Sequence, residues 1–586
     1  MSAPVRKGSG RRPAAGPRPA RWAPAVAAAV ALAAGCAPAD PGGAPAPAPS
    51  GDGSVRSAAR VDARELLRDS WVTDGRRGWF VDGAASTAQP PFSLYETAWR
   101  LRLTALHAAR PAVDHERLRL WVRAAERGRL DSSGLPPVAQ VDLAVDALLT
   151  SGGTADRADV GRTLEALRQG GGYRTAPSAA RTDPGSTAVA VRVLSRLGLP
   201  VPEPVRQANS AALQAVPVRE AATAPGEVVP VLQTAALLGV TGADRTRAAA
   251  LATAAARALS AYPVEPVRLA WEGALRDAAP RLGARLPAFP AAACDGHVLP
   301  DGGIGLPGAR QGDPQATYWA LRLGCSAVRV PAAGAHSRAG WPAGQTDQTA
   351  LSATAAALAL ARRTGQSAEF AGPLARQVRE VWLPRERRPA PYDTARLVDR
   401  VDLRLVARAL GGALAREVDR GLPAPSLRGV RATDDARLLL TALDAADSPA
   451  ARRTMCATGS PLRPAGAAGG GASIVRAARL AAAADLCHDP ALARRARAGA
   501  AAVRAGTALY RSGTALSFEA SVMGTWIERP RADAVTAWTR AGLCTGDLCA
   551  ETPARLRTAD HTPLRTLAAL MAARAGDYGA LFPVAF

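Results

Sequence analysis

The sequence predicts an all-α protein built of repeated helix pairs, and three observations carry that expectation. Apolar residues recur at i, i+3, i+4 and i+7 through most of the chain after residue 60. Val and Ile are scattered rather than alternating with polar residues, so no sheet is indicated. Several helices also open alike, with paired glycines, a polar loop and an Asp-Pro step.

Taken in order, the chain begins with Arg6, Lys7, Arg11, Arg12, Arg18 and Arg21 and has no acid before Asp40. An uncharged apolar stretch follows from Trp22 to Ala34, long enough for a signal peptide and short of the ~20 residues a spanning helix needs. Residues 1–35 are therefore predicted to be a leader. The run Leu32-Ala33-Ala34-Gly35-Cys36 resembles the lipobox of bacterial lipoproteins, although Ala33 stands where Leu is usual. That resemblance implies acylation at Cys36, with palmitate among the chains, and an anchor in the membrane. Residues 36–58 are mostly Pro, Ala and Gly, with little to bury, and read as a semi-extended tether.

Helical periodicity covers 93–108, 138–150, 186–197, 226–239, 346–364 and 433–445. One repeat unit begins at Gly170 and passes through Asp183-Pro184; another begins at Asp301 and passes through Asp313-Pro314. A third starts at Gly340-Trp341 and keeps Asp347 ahead of Thr349, and weaker copies surround Glu96 and Asp393. Glycine supplies positive φ where one helix stops. Asp then caps the next helix, and Pro fits its first position, where a missing N–H costs nothing. Such a pair cannot bury its apolar stripe alone, so pairs stack as a solenoid or close into a ring. The Pro/Ala/Gly stretch 331–335 and the Gly- and Pro-rich loop 458–472 are the two candidate breaks, and the first is taken to divide the body into regions 59–330 and 331–586.

The formal net charge is +23, and removing the six leader charges leaves +17. Nearly all of it is arginine, because Lys7 is the single lysine; phosphate-loop, Schiff-base and lysine-base chemistry are thereby excluded from the body. The arginines are dispersed along helices, which suits a solvated surface and gives no specific nucleic-acid signal. Six cysteines follow Cys36, and an even number in an exported chain favours disulfides. Fifteen pairings are open; pairing neighbours would join Cys294 with Cys325, Cys456 with Cys487, and Cys544 with Cys549.

The set Gly302, Gly303, Asp313, Thr317, Tyr318, Ala320 and Leu321 resembles the repeats of the prenyltransferase and squalene-cyclase superfamily. A second copy is Gly171, Gly172, Tyr173, Asp183 and Thr187, and the recognisable pieces cover about a third of the chain. The resemblance implies an α/α toroid, or two consecutive toroid-like halves, with inner helices around a central cavity. The family's catalytic chemistry is harder to find. The Asp-x-Asp-Asp acid of the cyclases is absent; Thr433-Asp434-Asp435 and Asp393 come nearest. Aromatic residues make up only 4% of the chain, thin for a wall that guides carbocations.

The zinc ligands of the prenyltransferases would correspond here to Asp485, Cys487 and His561, a set that competes with disulfide formation at Cys487. No cofactor is expected, and no HExxH, GxSxG, CxxC or Walker pattern occurs. If a catalytic site exists, its carboxylates are to be sought among Asp183, Asp313, Asp347, Asp393 and Glu96 at loop-to-helix junctions, where simple helix capping is the alternative role. The expected function is that of an exported protein, lipid-anchored on the extracytoplasmic face of a bacterial cell membrane. It would bind an apolar, isoprenoid-like or envelope ligand, or act as a scaffold. The other reading is a diverged enzyme, either cyclase- or transferase-like or a polysaccharide-cleaving toroid. Oligomeric state is left open.

Overall fold

The computed structural model describes residues 61–581, apart from 83–91, 107–112, 131–133, 306–311, 330–335, 343–345, 388–393, 464–472, 530–532, 553–562, 578–580 and positions 263, 300, 429, 447 and 542. The leader, the tether with Cys36, Asp393 and His561 lie outside the described residues. Among the described residues, 24 α-helices stand against four two-stranded ribbons of two or three residues per strand, so the body is all-α. The ribbons are tight Gly turns that reverse the chain between helices, too short to carry a periodic sequence signal.

A short N-terminal helix, α1 (Ala63–Ser70), leads into an antiparallel hairpin, β1 (Trp71–Thr73) and β2 (Gly78–Phe80). Six helices follow in the first half: α2 (Leu94–Leu106), α3 (Pro137–Thr150), α4 (Pro184–Leu197), α5 (Pro225–Leu238), α6 (Pro266–Leu282) and α7 (Pro314–Arg322). Each packs on the next, and α7 packs on α2. Between them in sequence come helices such as His115–Glu126, Arg157–Leu167 and Gly242–Ser260, which pack against this set.

The second half repeats the scheme with α8 (Thr346–Thr364), α9 (Thr394–Leu410), α10 (Asp435–Asp444), α11 (Ile474–Cys487), α12 (Phe518–Glu528) and α13 (Pro563–Arg574). Contacts run from α8 in order to α12, and α13 packs on α8. Arg565 on α13 reaches Glu519 on α12 at 3.1 Å.

One corner recurs, and it explains the repeated sequence. Asp183 accepts from Gly185 N and Ser186 N at 2.9 and 3.2 Å, with Pro184 in the first helical position. Four residues after Asp183, Thr187 Oγ1 donates to its carbonyl (2.9 Å) and accepts from Tyr173 N (3.0 Å) in the preceding turn. At Asp313, Thr317 makes the same two bonds, to the Asp313 carbonyl (2.7 Å) and from Ile304 N (3.0 Å). Ser521 does so between Ser517 and Tyr510, at 2.7 and 3.0 Å. The hydroxyl thus joins the helix start to the glycine turn before it, and satisfies two buried backbone groups at once.

The third repeat is wired differently from its expectation. Gly340-Trp341 does not serve the helix that follows it. Trp341 N donates to Thr97 Oγ1 at 3.1 Å, and Ser93 N donates to the Trp341 carbonyl at 2.9 Å, so this turn completes the corner of α2. The turn that bonds α8 is instead at β2, where Phe80 N donates to Thr354 Oγ1, two turns into the helix, at 3.0 Å. Because α8 begins at Thr346, Asp347 stands inside its first turn rather than at its cap.

Two segments therefore exchange places. Residues 61–82 pack on the second half: α1 lies on α8 and α13, and Leu564 N donates to Asp82 Oδ1 at 2.9 Å. Residues 336–342 pack on the first half, where Trp121 Nε1 donates to the Ala339 carbonyl at 2.9 Å. One apolar core accordingly passes from Trp121 through Trp341 and Leu351 to Trp382 and Trp538, and Ser50–Phe586 form a single compact unit. The boundary at 330/331 separates two sets of neighbouring helices but not two cores. The cysteines pair as nearest neighbours, Cys294–Cys325, Cys456–Cys487 and Cys544–Cys549.

Candidate functional site

The C-terminal halves of α2 to α7 all contribute to one cavity of about 620 Å³. Five guanidinium groups line it: Arg102 from α2, Arg192 and Arg196 from α4, Arg281 from α6 and Arg322 from α7. Two carboxylates accompany them, Asp146 from α3 and Asp277 from α6. Spacing along the helices places them there. Arg192 and Arg196, Asp277 and Arg281, and Tyr318 and Arg322 are each one turn apart on one helix face. Cations near a helix C-terminus are favoured by the carbonyl end of its dipole, so this face accommodates arginine readily.

The charges are ordered by a small set of pairs. Asp146 is buried and takes ion pairs from both Arg102 and Arg196. Arg192 forms a two-pronged pair with buried Asp142, at 2.9 and 2.7 Å. Burial alone would push the Asp142 carboxyl up; Arg192, with Arg102 and Arg196 behind it, holds it below the usual range. Arg322 reaches Asp277 at 2.7 Å. Arg281 feels the charge of Asp277 but makes no ion pair or hydrogen bond among the described residues.

An aromatic wall backs this arrangement. The Arg102 guanidinium lies 4.3 Å from the centroid of the Trp99 ring, and Trp99 packs on Tyr318 and Trp319. Gly273 lets α6 approach α7, because a Cβ there would come within 2.1 Å of the Trp319 ring. The cavity is thus wide, cationic and edged with aromatic and small apolar side chains.

Comparison with family models, curated proteins and solved structures finds no match.

The carboxylates expected to form a site lie elsewhere. Asp183 and Asp313 cap the N-terminal ends of α4 and α7, and Glu96 sits in the first turn of α2, whereas the cavity is lined by the other halves of these helices. Asp313 and Glu96 do approach each other: Tyr95 donates from its hydroxyl to Asp313 Oδ2 at 2.9 Å, and Glu96 adds negative charge nearby. Burial raises the Asp313 carboxyl above its usual range, while the bonds from Ala316 N and Tyr95 oppose the shift. Both of its oxygens are committed, one to the cap and one to Tyr95. Asp183 is a cap as well. Asp347 belongs to α8 in the other half, and Asp393 lies outside the described residues.

The disfavoured zinc set, Asp485, Cys487 and His561, is not assembled among the described residues. Cys487 is bonded to Cys456, which leaves it no thiolate to offer a metal, and His561 lies outside the described residues. No group of three or more His, Cys, Asp or Glu side chains suited to a metal occurs among the described residues.

Sequence reasoning missed the arginines. Dispersal along the chain suggests solvated surface, but dispersal is what six helices feeding one cavity require. The legible signal was an Arg near the C-terminal end of several mainly apolar helices, at 102, 196, 281 and 322.

Proposed function

We propose that the chain is an exported, lipid-anchored envelope protein, tethered through Cys36 to the extracytoplasmic face of the membrane, that binds an envelope ligand in the first-half cavity. The observation that carries this reading is the convergence of six successive helices on one cavity of about 620 Å³, within the size range of small-molecule sites. The same succession, with α7 against α2, supports an α/α toroid for the first half; α8 to α13 support a second. The recurring Asp/Ser-to-Thr/Ser corner supports kinship of these repeats with those of the prenyltransferase and squalene-cyclase superfamily.

Within this reading the charged lining favours an envelope ligand over an isoprenoid hydrocarbon, since burying guanidinium groups against an apolar chain would leave them unsolvated. The lipobox-like run ending at Cys36 supports a lipid anchor there; among the described residues no helix is long and apolar enough to cross a membrane. Cell fractionation with a Cys36→Ser variant tests the location: the wild type stays with membranes and the variant is released. Native mass spectrometry of the mature protein incubated with host envelope extract tests the binding. One adduct per chain is expected, lost when Ala274→Trp fills the cavity. A variant that remains membrane-bound, or an adduct indifferent to Ala274→Trp, would contradict the corresponding half of the proposal.

A further inference from the structure

We infer that the first-half cavity is an anion site, selective for a ligand carrying at least two negative charges close together, such as a phosphorylated or polyuronate unit of envelope material. This rests on the cavity being the binding site, and it names the ligand class by charge.

The charges lining the cavity leave a positive surplus. Asp146 is shared by two arginines, so the Arg102, Asp146 and Arg196 group keeps one unneutralised positive charge. On the far wall Asp277 is held by Arg322 at 2.7 Å, and Arg281 one turn along feels the same carboxylate but makes no ion pair or hydrogen bond among the described residues, so this group too keeps one positive charge. Two separate walls, α2/α4 and α6/α7, therefore each present a surplus guanidinium toward one space.

The donors of Arg102 are also preorganised. The Arg102 guanidinium is fixed on one face by the Trp99 ring at 4.3 Å and at its edge by Asp146, so its remaining N–H donors are already oriented. A planar fork held in this way gives carboxylate or phosphate oxygens two parallel hydrogen bonds without first ordering the side chain.

The arginines also oppose the carbonyl ends of six helices, and that role alone would place them here. The helix ends are partly satisfied already. The backbone N–H of Gly198, Gly239 and Gly283 bonds the last carbonyls of α4, α5 and α6, which reduces the negative field left to neutralise. The space itself is many times larger than one phosphate group, and Tyr318 and Leu237 on its walls give a ring or short carbon body something to rest against.

Isothermal titration of the mature protein with sodium pyrophosphate, sodium acetate and farnesol tests the inference. Pyrophosphate is expected to bind once per chain, at least about tenfold more tightly than acetate, and to weaken as salt is raised. Arg281→Gln removes no existing pair and should still fold. It is expected to weaken pyrophosphate about tenfold, and Arg102→Gln with Arg281→Gln to abolish the titration. An Arg494→Gln, Arg497→Gln protein, changed on a distant helix, should bind as the wild type does. Farnesol binding that Ala274→Trp abolishes, with no pyrophosphate heat, overturns the anion class and leaves the cavity reading standing. Pyrophosphate binding unchanged in the Arg281→Gln and double variants overturns the inference by placing the anion elsewhere. No heat with any probe, together with wild-type melting of Arg281→Gln, assigns the arginines to the helix ends alone and removes both readings.

Discussion

Asp402 shows how a single residue in the second half stores a pH dependence. It lies on α9, is 2% exposed and bonds Ser352 on α8. Burial pushes its carboxyl up to about 7; Asp399 adds to the rise, while Ser352 and Arg565 on α13 oppose it. An unfolded chain titrates the same group near ~3.9, so between about pH 4 and 7 the folded protein holds the extra proton. Stability therefore falls as pH rises through that window and levels off above about 7. Asp402→Asn should remove this component, on the order of 4 kcal/mol between pH 4 and pH 8. Urea denaturation of both proteins at the two pH values measures it; parallel curves would show that Asp402 is already charged in the fold. Nothing in the sequence marks Asp402, because its burial is imposed by α8, fifty residues away.

At the scale of the element, the unit of construction is the corner that ties a glycine turn to the next helix. Asp183-Pro184 and Asp313-Pro314 were legible, since N-capping and proline chemistry are local. The role of Thr187 and Thr317 was visible only as a repeated letter, for their second bond goes to a residue ten or more positions back. Removing the hydroxyl leaves two backbone groups without their partner. Thr317→Val should cost about 1–3 kcal/mol, more than the roughly 1 kcal/mol expected for the half-exposed cap in Asp183→Ala. Chemical denaturation orders the two; a Thr317→Val protein as stable as the wild type would mean the corner contributes nothing. The same local limit explains the misassigned third repeat. Gly340-Trp341 has the right letters, but nothing near it in sequence says that its partners are Ser93 and Thr97.

On the scale of the whole molecule, the helical class was legible from periodicity, and the crossing of segments between residues 61–82 and 336–342 was not. Hairpin β1–β2 completes α8 while 336–342 completes α2, so each half borrows a turn from the other. A chain cut by a protease site placed in 331–335 should accordingly remain one particle in native gel filtration and separate only in denaturant. Two particles under native conditions would show that the exchanged segments do not hold the halves together. The cavity has the same long-range origin: its five arginines span positions 102 to 322 and meet only once six helices have packed in order. Hydrogen–deuterium exchange of the protein, with and without host envelope extract, tests that convergence most directly. Protection is expected together in peptides covering 102–106, 146–150, 192–197, 233–238, 274–282 and 318–323, the C-terminal turns of α2 to α7. Protection in the second half alone, or in none of the six, would contradict the cavity as the place where this protein binds.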